Sequence, residues 1–292
     1  MQARRVRRRA GGTPHGARYA DGAACIQPEE RRSRPLAPAS TPMAGRGEPM
    51  PDDPRSPVLP HPVVSHAEWM AARAAFLVKE KEFTRLRDEL NRERRALPWV
   101  RVGKPYVFQG PQGQETLAQL FGARSQLLVY HFMFAPEWAE GCKHCSFWAD
   151  HYDGPRIHLE HRDATLVVVS RAPYEKIAAF RQRMGWKFKW VSSWNSDFNR
   201  DFQVSFTPEQ LESGTAVYNF RKIAGGSPER EGLTVFHRDA AGAIYRTYSC
   251  YARGIDLLNG TYNFLDLLPK GRDEEGLKAP QAWVQYHDRY AD

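Results

Sequence analysis

Two short runs in the chain carry no polar alternation: Leu127-Leu-Val-Tyr-His-Phe-Met-Phe134 and Thr165-Leu-Val-Val-Val169. A strand with one wet face alternates polar and apolar residues, whereas a strand buried on both faces does not. About thirty residues separate the runs, which is room for a right-handed crossover through a helix. The spacing therefore predicts a parallel pair of strands in an α/β sheet. The segment that must make the crossover opens with Cys142-Lys143-His144-Cys145.

Other elements follow from turn chemistry and periodicity. Tyr106-Val-Phe108 before Gly110-Pro-Gln-Gly113 predicts a hairpin, and Thr116 to Phe121 a short helix. Pro173 opens a helix with an apolar face of Ile177, Phe180 and Met184, and Trp190 to Ser193 reads as a strand. Leu233 to His237, a turn over Asp239 to Gly242, and Ala243 to Tyr248 form a second hairpin, while Gly271 to Lys278 reads as a polar loop.

Upstream, Ser65-His-Ala-Glu68 has the form of a capping box, with Val64 and Trp69 at the positions of a hydrophobic staple. Trp69, Phe76, Phe83, Leu90 and Leu97 recur every seven residues until Pro98 closes the helix. This narrow stripe suits packing across the domain or against a second subunit. Acids interleaved with the arginines argue against a DNA-reading helix.

Residues 1–60 hold ten of the 21 prolines and few large apolar side chains, a composition that cannot offset its ordering entropy. They are expected to be a disordered Arg/Pro-rich tail. The expected division is thus 1–60 tail, 61–98 helical extension and 99–292 α/β domain. The tail also carries much of the charge: eleven Arg and six acids give net +5 of the chain's +8. The remaining +3 over 232 residues gives no reason to expect a nucleic-acid partner. No run reaches the roughly 18 apolar residues of a membrane helix, and the arginine-rich start lacks the apolar stretch of a secretory signal. A cytoplasmic protein with no membrane partner is expected.

Four cysteines in 292 residues are too few for a disulfide scaffold. Two stand three apart after a buried strand, the context in which Cys-x-x-Cys reads as redox or metal chemistry. At a strand-to-helix turn, unpaired N–H groups stabilise a thiolate on the first cysteine and the second comes within bridging distance one turn later. Cys142 is then the attacking nucleophile and Cys145 the resolving thiol. Lys143 and His144 favour the thiolate, and Glu137 and Glu140 oppose it if close. Metal binding is the alternative, with His131, His144, His151 or Cys250 completing a site, although one Cys-x-x-Cys supplies only two of four ligands. A redox-inert binding module is the third reading. Trp138, Phe147 and Trp148 suit either a substrate groove or the core; Asp150 and His151 suit a proton relay or the surface. Cys25 and Cys250 read as incidental, and Arg253 as a candidate for an acidic group.

Trp138 through Asp150, Ser170-Arg-Ala-Pro173, Met184-Gly-Trp186, Tyr251-Ala-Arg-Gly254 to Tyr262-Asn-Phe-Leu-Asp266 and Pro269-Lys-Gly-Arg272 together resemble a bacterial family of unknown function within the thioredoxin superfamily. The resemblance spans nearly all of 61–292. It implies a thioredoxin-like three-layer α/β fold with a central mixed β-sheet, behind a long N-terminal helix. It implies dithiol-disulfide oxidoreductase activity at Cys142, Cys145 and His144, without cofactor, on a disulfide-containing protein or a small-molecule thiol. His144 is the residue type found before the second cysteine in strongly oxidising periplasmic relatives. Two departures imply different substrate handling: Gly141 stands where thioredoxins have Trp, and no proline occupies the turn before the strand beginning near Leu233, where thioredoxins place a cis-proline facing the disulfide. The Pro136 to Cys142 spacing also lacks the threonine of peroxiredoxins.

Overall fold

A computed structural model of the chain describes residues 61–291, so the tail expected over 1–60 lies outside the described residues. Helix α1 (His66–Ala96) begins at the expected cap: the Ser65 hydroxyl accepts from the Glu68 N–H at 3.3 Å, and the Glu68 carboxylate accepts the Ser65 N–H at 2.9 Å. It ends at Leu97, because Pro98 disfavours a helical residue before it. No residue of α1 is buried, and Trp69, Phe76, Phe83 and Leu90 are each more than half exposed. The stripe therefore does not pack across the domain. Only its C-terminal part approaches the sheet, where the Arg94 guanidinium lies 5.0 Å above the Tyr248 ring.

The chain then forms β1 (Val100–Arg101), the hairpin β2 (Val107–Gly110) and β3 (Gly113–Thr116), and α2 (Leu117–Leu120). Next come β4 (Gln126–His131), α3 (Lys143–Ala149), α4 (Asp153–Glu160), β5 (Ala164–Ser170), α5 (Tyr174–Arg183) and β6 (Lys189–Ser192). After α6 (Phe198–Asp201) and α7 (Pro208–Glu212), a separate hairpin of β7 (Ala216–Tyr218) and β8 (Arg221–Ile223) is inserted. β9 (Gly232–Arg238), β10 (Ile244–Tyr251), a 3-10 helix (Ala252–Leu258) and α8 (Gly260–Leu265) complete the regular elements.

The main sheet runs β1-β10-β9-β4-β5-β6-β2-β3. β4 and β5 are parallel, as are β5 and β6, whereas β9 is antiparallel to β4 and β10 to β9. The missing polar alternation in the two runs has a direct cause. Leu127, Val129, Val167 and Val169 point into one core with Phe198 and Leu120; Tyr130, Phe132, Leu166 and Val168 point into another with Trp148, Phe180 and Trp190. Helical elements thus cover both faces of a mixed sheet. This is a thioredoxin-like three-layer α/β fold, and its βαβ crossover carries the two cysteines. Among the described residues, no helix is long and apolar enough to cross a membrane.

Candidate functional site: two thiols in a cleft beside the 3-10 helix

β4 delivers the chain to a loop that folds back on itself, the Cys142 N–H donating to the Met133 carbonyl at 3.0 Å. Cys142 is the N-cap of α3, and its carbonyl accepts from the Ser146 N–H and hydroxyl, each at 3.0 Å. Cys145 lies one turn into the helix, 2% exposed, and its sulfur accepts the Met133 N–H at 3.4 Å. Cys142 is only partly buried. The packing also explains Gly141. A Cβ there would sit 2.7 Å from Phe132 Cε1 and 3.0 Å from Phe180 Cε1, so no tryptophan fits without rebuilding that wall.

The thiols are electrostatically unequal. Cys142 is held well below the ordinary thiol range, chiefly because the Cys145 thiol donates a hydrogen bond to it; burial opposes this and His144 alongside adds to it. Cys145 is pushed well above that range by burial, by donating to Cys142, by the charge on Cys142 and by Glu231. The source of the asymmetry matches the expected one in part: a helix-start N–H, that of Cys145, and His144 support the Cys142 thiolate, but the largest cause is the Cys145 thiol. Lys143 is not among the causes, and its ammonium reaches the Ala282 carbonyl instead, at 3.5 Å. Glu140 is not among the leading causes; its carboxylate is paired with Arg183 at 2.5 Å and with Arg289.

Both cysteines open onto a cleft of about 280 Å3 whose walls include His144, Trp148, Glu231 and Arg253. The Trp148 indole N–H donates to the Ile255 carbonyl at 3.0 Å, fastening the 3-10 helix against α3. Glu231 immediately precedes β9 and Gly232 is its first residue, the place where thioredoxins carry a proline. A Cβ on Gly232 would meet Tyr251 Cδ1 at 2.6 Å. The Tyr218 hydroxyl donates to the Glu231 carbonyl at 2.9 Å and accepts the Ala252 N–H at 3.0 Å.

Several sequence candidates fall elsewhere. Asp150 accepts from Trp186 Nε1 at 2.8 Å and sits 2.7 Å from His287 Nδ1, while His151 Nε2 lies 3.0 Å from Thr261 Oγ1; both fasten the C-terminal segments. Phe147 packs edge-on against Tyr262 and Trp283 as core, and Trp138 packs against the same cluster. His131 is fully buried, with Nε2 2.9 Å from the Thr234 hydroxyl. Cys250 is buried on β10. Among the described residues, no group of three or more His, Cys, Asp or Glu is placed to hold a metal ion. Arg253 joins the site that sequence reasoning could only suggest for it. Glu231 had no sequence signal, because its place depends on the inserted hairpin.

Fold and site together define a thioredoxin-fold protein with two unequal, unpaired thiols in a surface cleft. Residues 58–290 match the family described as bacterial protein of unknown function (DUF899), and the chain belongs to it. Peroxidoxin BcpB from Mycobacterium tuberculosis is similar at 13% identity, over 54% of this chain and 91% of that one, with a TM-score of 0.36. Xanthomonas campestris peroxiredoxin Q is 15% identical over 54% and 90%, with a TM-score of 0.35. A putative thiol:disulfide interchange protein DsbE from Chlorobium tepidum is 12% identical over 53% and 86%, with a TM-score of 0.32. No curated protein matches the sequence.

Proposed function

We propose that the protein is a thiol-disulfide oxidoreductase that cycles Cys142 and Cys145 between dithiol and disulfide. One observation carries the reading: a partly exposed thiol at the start of a helix stands a single turn from a buried one, and both line the wall of an open cleft. Such a pair separates the two roles that disulfide exchange requires.

Cys142 attacks as the thiolate. Its sulfur bonds to one sulfur of the substrate disulfide, the substrate S–S bond breaks, and the other substrate sulfur leaves as a thiolate that takes up a proton. Cys145 must then lose its own proton before its sulfur can attack Cys142. Glu231, whose charge reaches Cys145 and which lines the same cleft, is the candidate acceptor. The second attack forms the Cys142–Cys145 disulfide and releases the first substrate sulfur. A separate thiol donor restores the dithiol. His144 supports the thiolate at Cys142 and so shifts the couple toward its reduced form, making it more oxidising.

Intact-mass analysis with and without reductant tests this directly. The expected result is a two-dalton change localised to the Cys142–Cys145 peptide, with less than stoichiometric zinc. Cys145→Ser should accumulate a mixed disulfide on Cys142, and Cys142→Ser should exchange nothing. Stoichiometric zinc with unfolding on chelation, or exchange by Cys142→Ser, would overturn the proposal.

A further inference from the structure

The thiol cleft has a larger neighbour. Ala252 and Arg253, which line the thiol cleft, also line a second cleft of about 800 Å3, so this pair of residues is the wall common to both. Its charge is one-sided. Arg221, Arg246 and Arg253 line it, Arg94 lies over the ring of Tyr248 on its wall, and no Asp or Glu lines it. Arg253 makes an exposed 3.2 Å pair with Asp256, whereas Arg221 and Arg246 make no ion pair among the described residues.

The floor is a strand with an open edge. β1 pairs only with Tyr245 and Arg246 of β10. Thr247 is bulged out of the register with β9, and from Tyr248 to Tyr251 β10 has no partner on that side among the described residues, although β9 pairs with its other edge. An open edge presents backbone donors and acceptors for one more strand. The stretch could pair with an extended segment of about four residues at roughly 3.3 Å each.

We infer that this cleft binds an extended acidic polypeptide segment along β10, presenting the cysteine of its disulfide to Cys142 across Arg253. The inference rests on the thiol-exchange reading above and supplies its substrate class. Unpaired arginines favour carboxylates, while the free edge favours a peptide backbone over a small anion. The chain's own residues 1–60, with net +5, carry the wrong sign.

The test uses peptides of ten residues, each with one cysteine as a mixed disulfide with 2-mercaptoethanol and with flanks rich in Glu, in Lys or in Ser. Mixed-disulfide formation with full-length Cys145→Ser protein is followed by intact mass. The Glu peptide is expected to react about tenfold faster than the Lys peptide at low salt, with the ratio collapsing at high salt. Adding Arg221→Gln and Arg246→Gln should bring the ratio close to one, with folding checked by circular dichroism. N-methylation of alternate amides in the Glu peptide should slow it, as required if β10 pairs with its backbone. Equal rates for Glu and Lys peptides overturn the inference and leave the redox reading standing. Glutathione disulfide reacting as fast as the Glu peptide overturns the peptide assignment. Fluorescence anisotropy with a Ser-for-Cys version of the Glu peptide separates the two readings: binding without any exchange sinks the redox reading alone.

Discussion

Cys145→Ala removes the donor that contributes most to holding Cys142 as a thiolate. A hydrogen bond to a charged acceptor contributes about 1.5–3 kcal/mol. At a pH below the midpoint, losing it lowers the thiolate fraction by roughly ten- to a hundredfold. The rate falls less than that, because a more basic thiolate is a better nucleophile, with a Brønsted coefficient of about 0.4–0.5. Net attack on a small aromatic disulfide should slow about three- to tenfold. The pH profile should move upward, since a thiol depressed by its partner loses its charge at higher pH once that partner is gone. Cys145→Ser keeps an O–H donor at the same place and should shift the profile less. His144→Ala should also shift it less, His144 being a smaller cause than Cys145. The assay is stopped-flow disulfide exchange from pH 4 to 10, with peptide mapping of the labelled cysteine. A Cys145→Ala protein with an unmoved profile, or labelling of Cys145 before Cys142 in the unaltered protein, refutes the reasoning.

Three further outcomes follow from the geometry. His131 is fully buried and its pKa is depressed to about 3 by desolvation, so its contribution is present above the unfolded value near 6.5 and is lost as pH falls from there toward 3. Chemical denaturation should show a slope of up to about 1.4 kcal/mol per pH unit from this group in that window, and His131→Gln should flatten it. Arg171 pairs at 2.6 Å with Glu229, which is 1% exposed and also accepts from the Ser205 hydroxyl at 2.6 Å. Arg171→Ala should cost about 3 kcal/mol by urea unfolding, because it leaves a buried carboxylate without its counter-ion. Phe76→Glu with Phe83→Glu on α1 should leave the thermal midpoint nearly unchanged, since neither ring is buried; a large drop, with a change in sedimentation, would place a second copy against the stripe.

The sheet and the first cysteine pair were legible because their causes are local or periodic. Val167 and Val169 face one core while Leu166 and Val168 face the other, which is the two-sided burial that an uninterrupted apolar run implies. The hairpin of β7 and β8 was not legible. Its turn places Asn219 and Phe220 at φ of 49° and 62°, and phenylalanine in the left-handed region is no turn signal. The fate of α1 was hidden for another reason: a seven-residue apolar stripe shows that a face exists, while its exposure depends on where the chain leads after Pro98. Asp150 and His151 likewise stand beside the motif in sequence, but their partners are far along the chain, Trp186 and His287 for one and Thr261 for the other.

That unread hairpin bears directly on the site. In place of a proline facing the thiols, the entry to β9 offers Glu231 followed by Gly232, the strand's first residue, and an entry without a proline ring needs something else to fix it. Tyr218, from β7, supplies this: one hydroxyl accepts from Ala252 and donates to Glu231, tying the entry to β9 to the segment after β10. Ala252 is itself at φ 48°, a conformation that costs a non-glycine residue of order 1 kcal/mol or more and persists only where surrounding contacts hold it. Both ends of the β9–β10 hairpin therefore meet at Tyr218. The carboxylate beside Cys145 and the arginine at the mouth of the cleft depend on the same hydroxyl for their placement. The hairpin of β7 and β8 thus sets the wall that faces the two thiols.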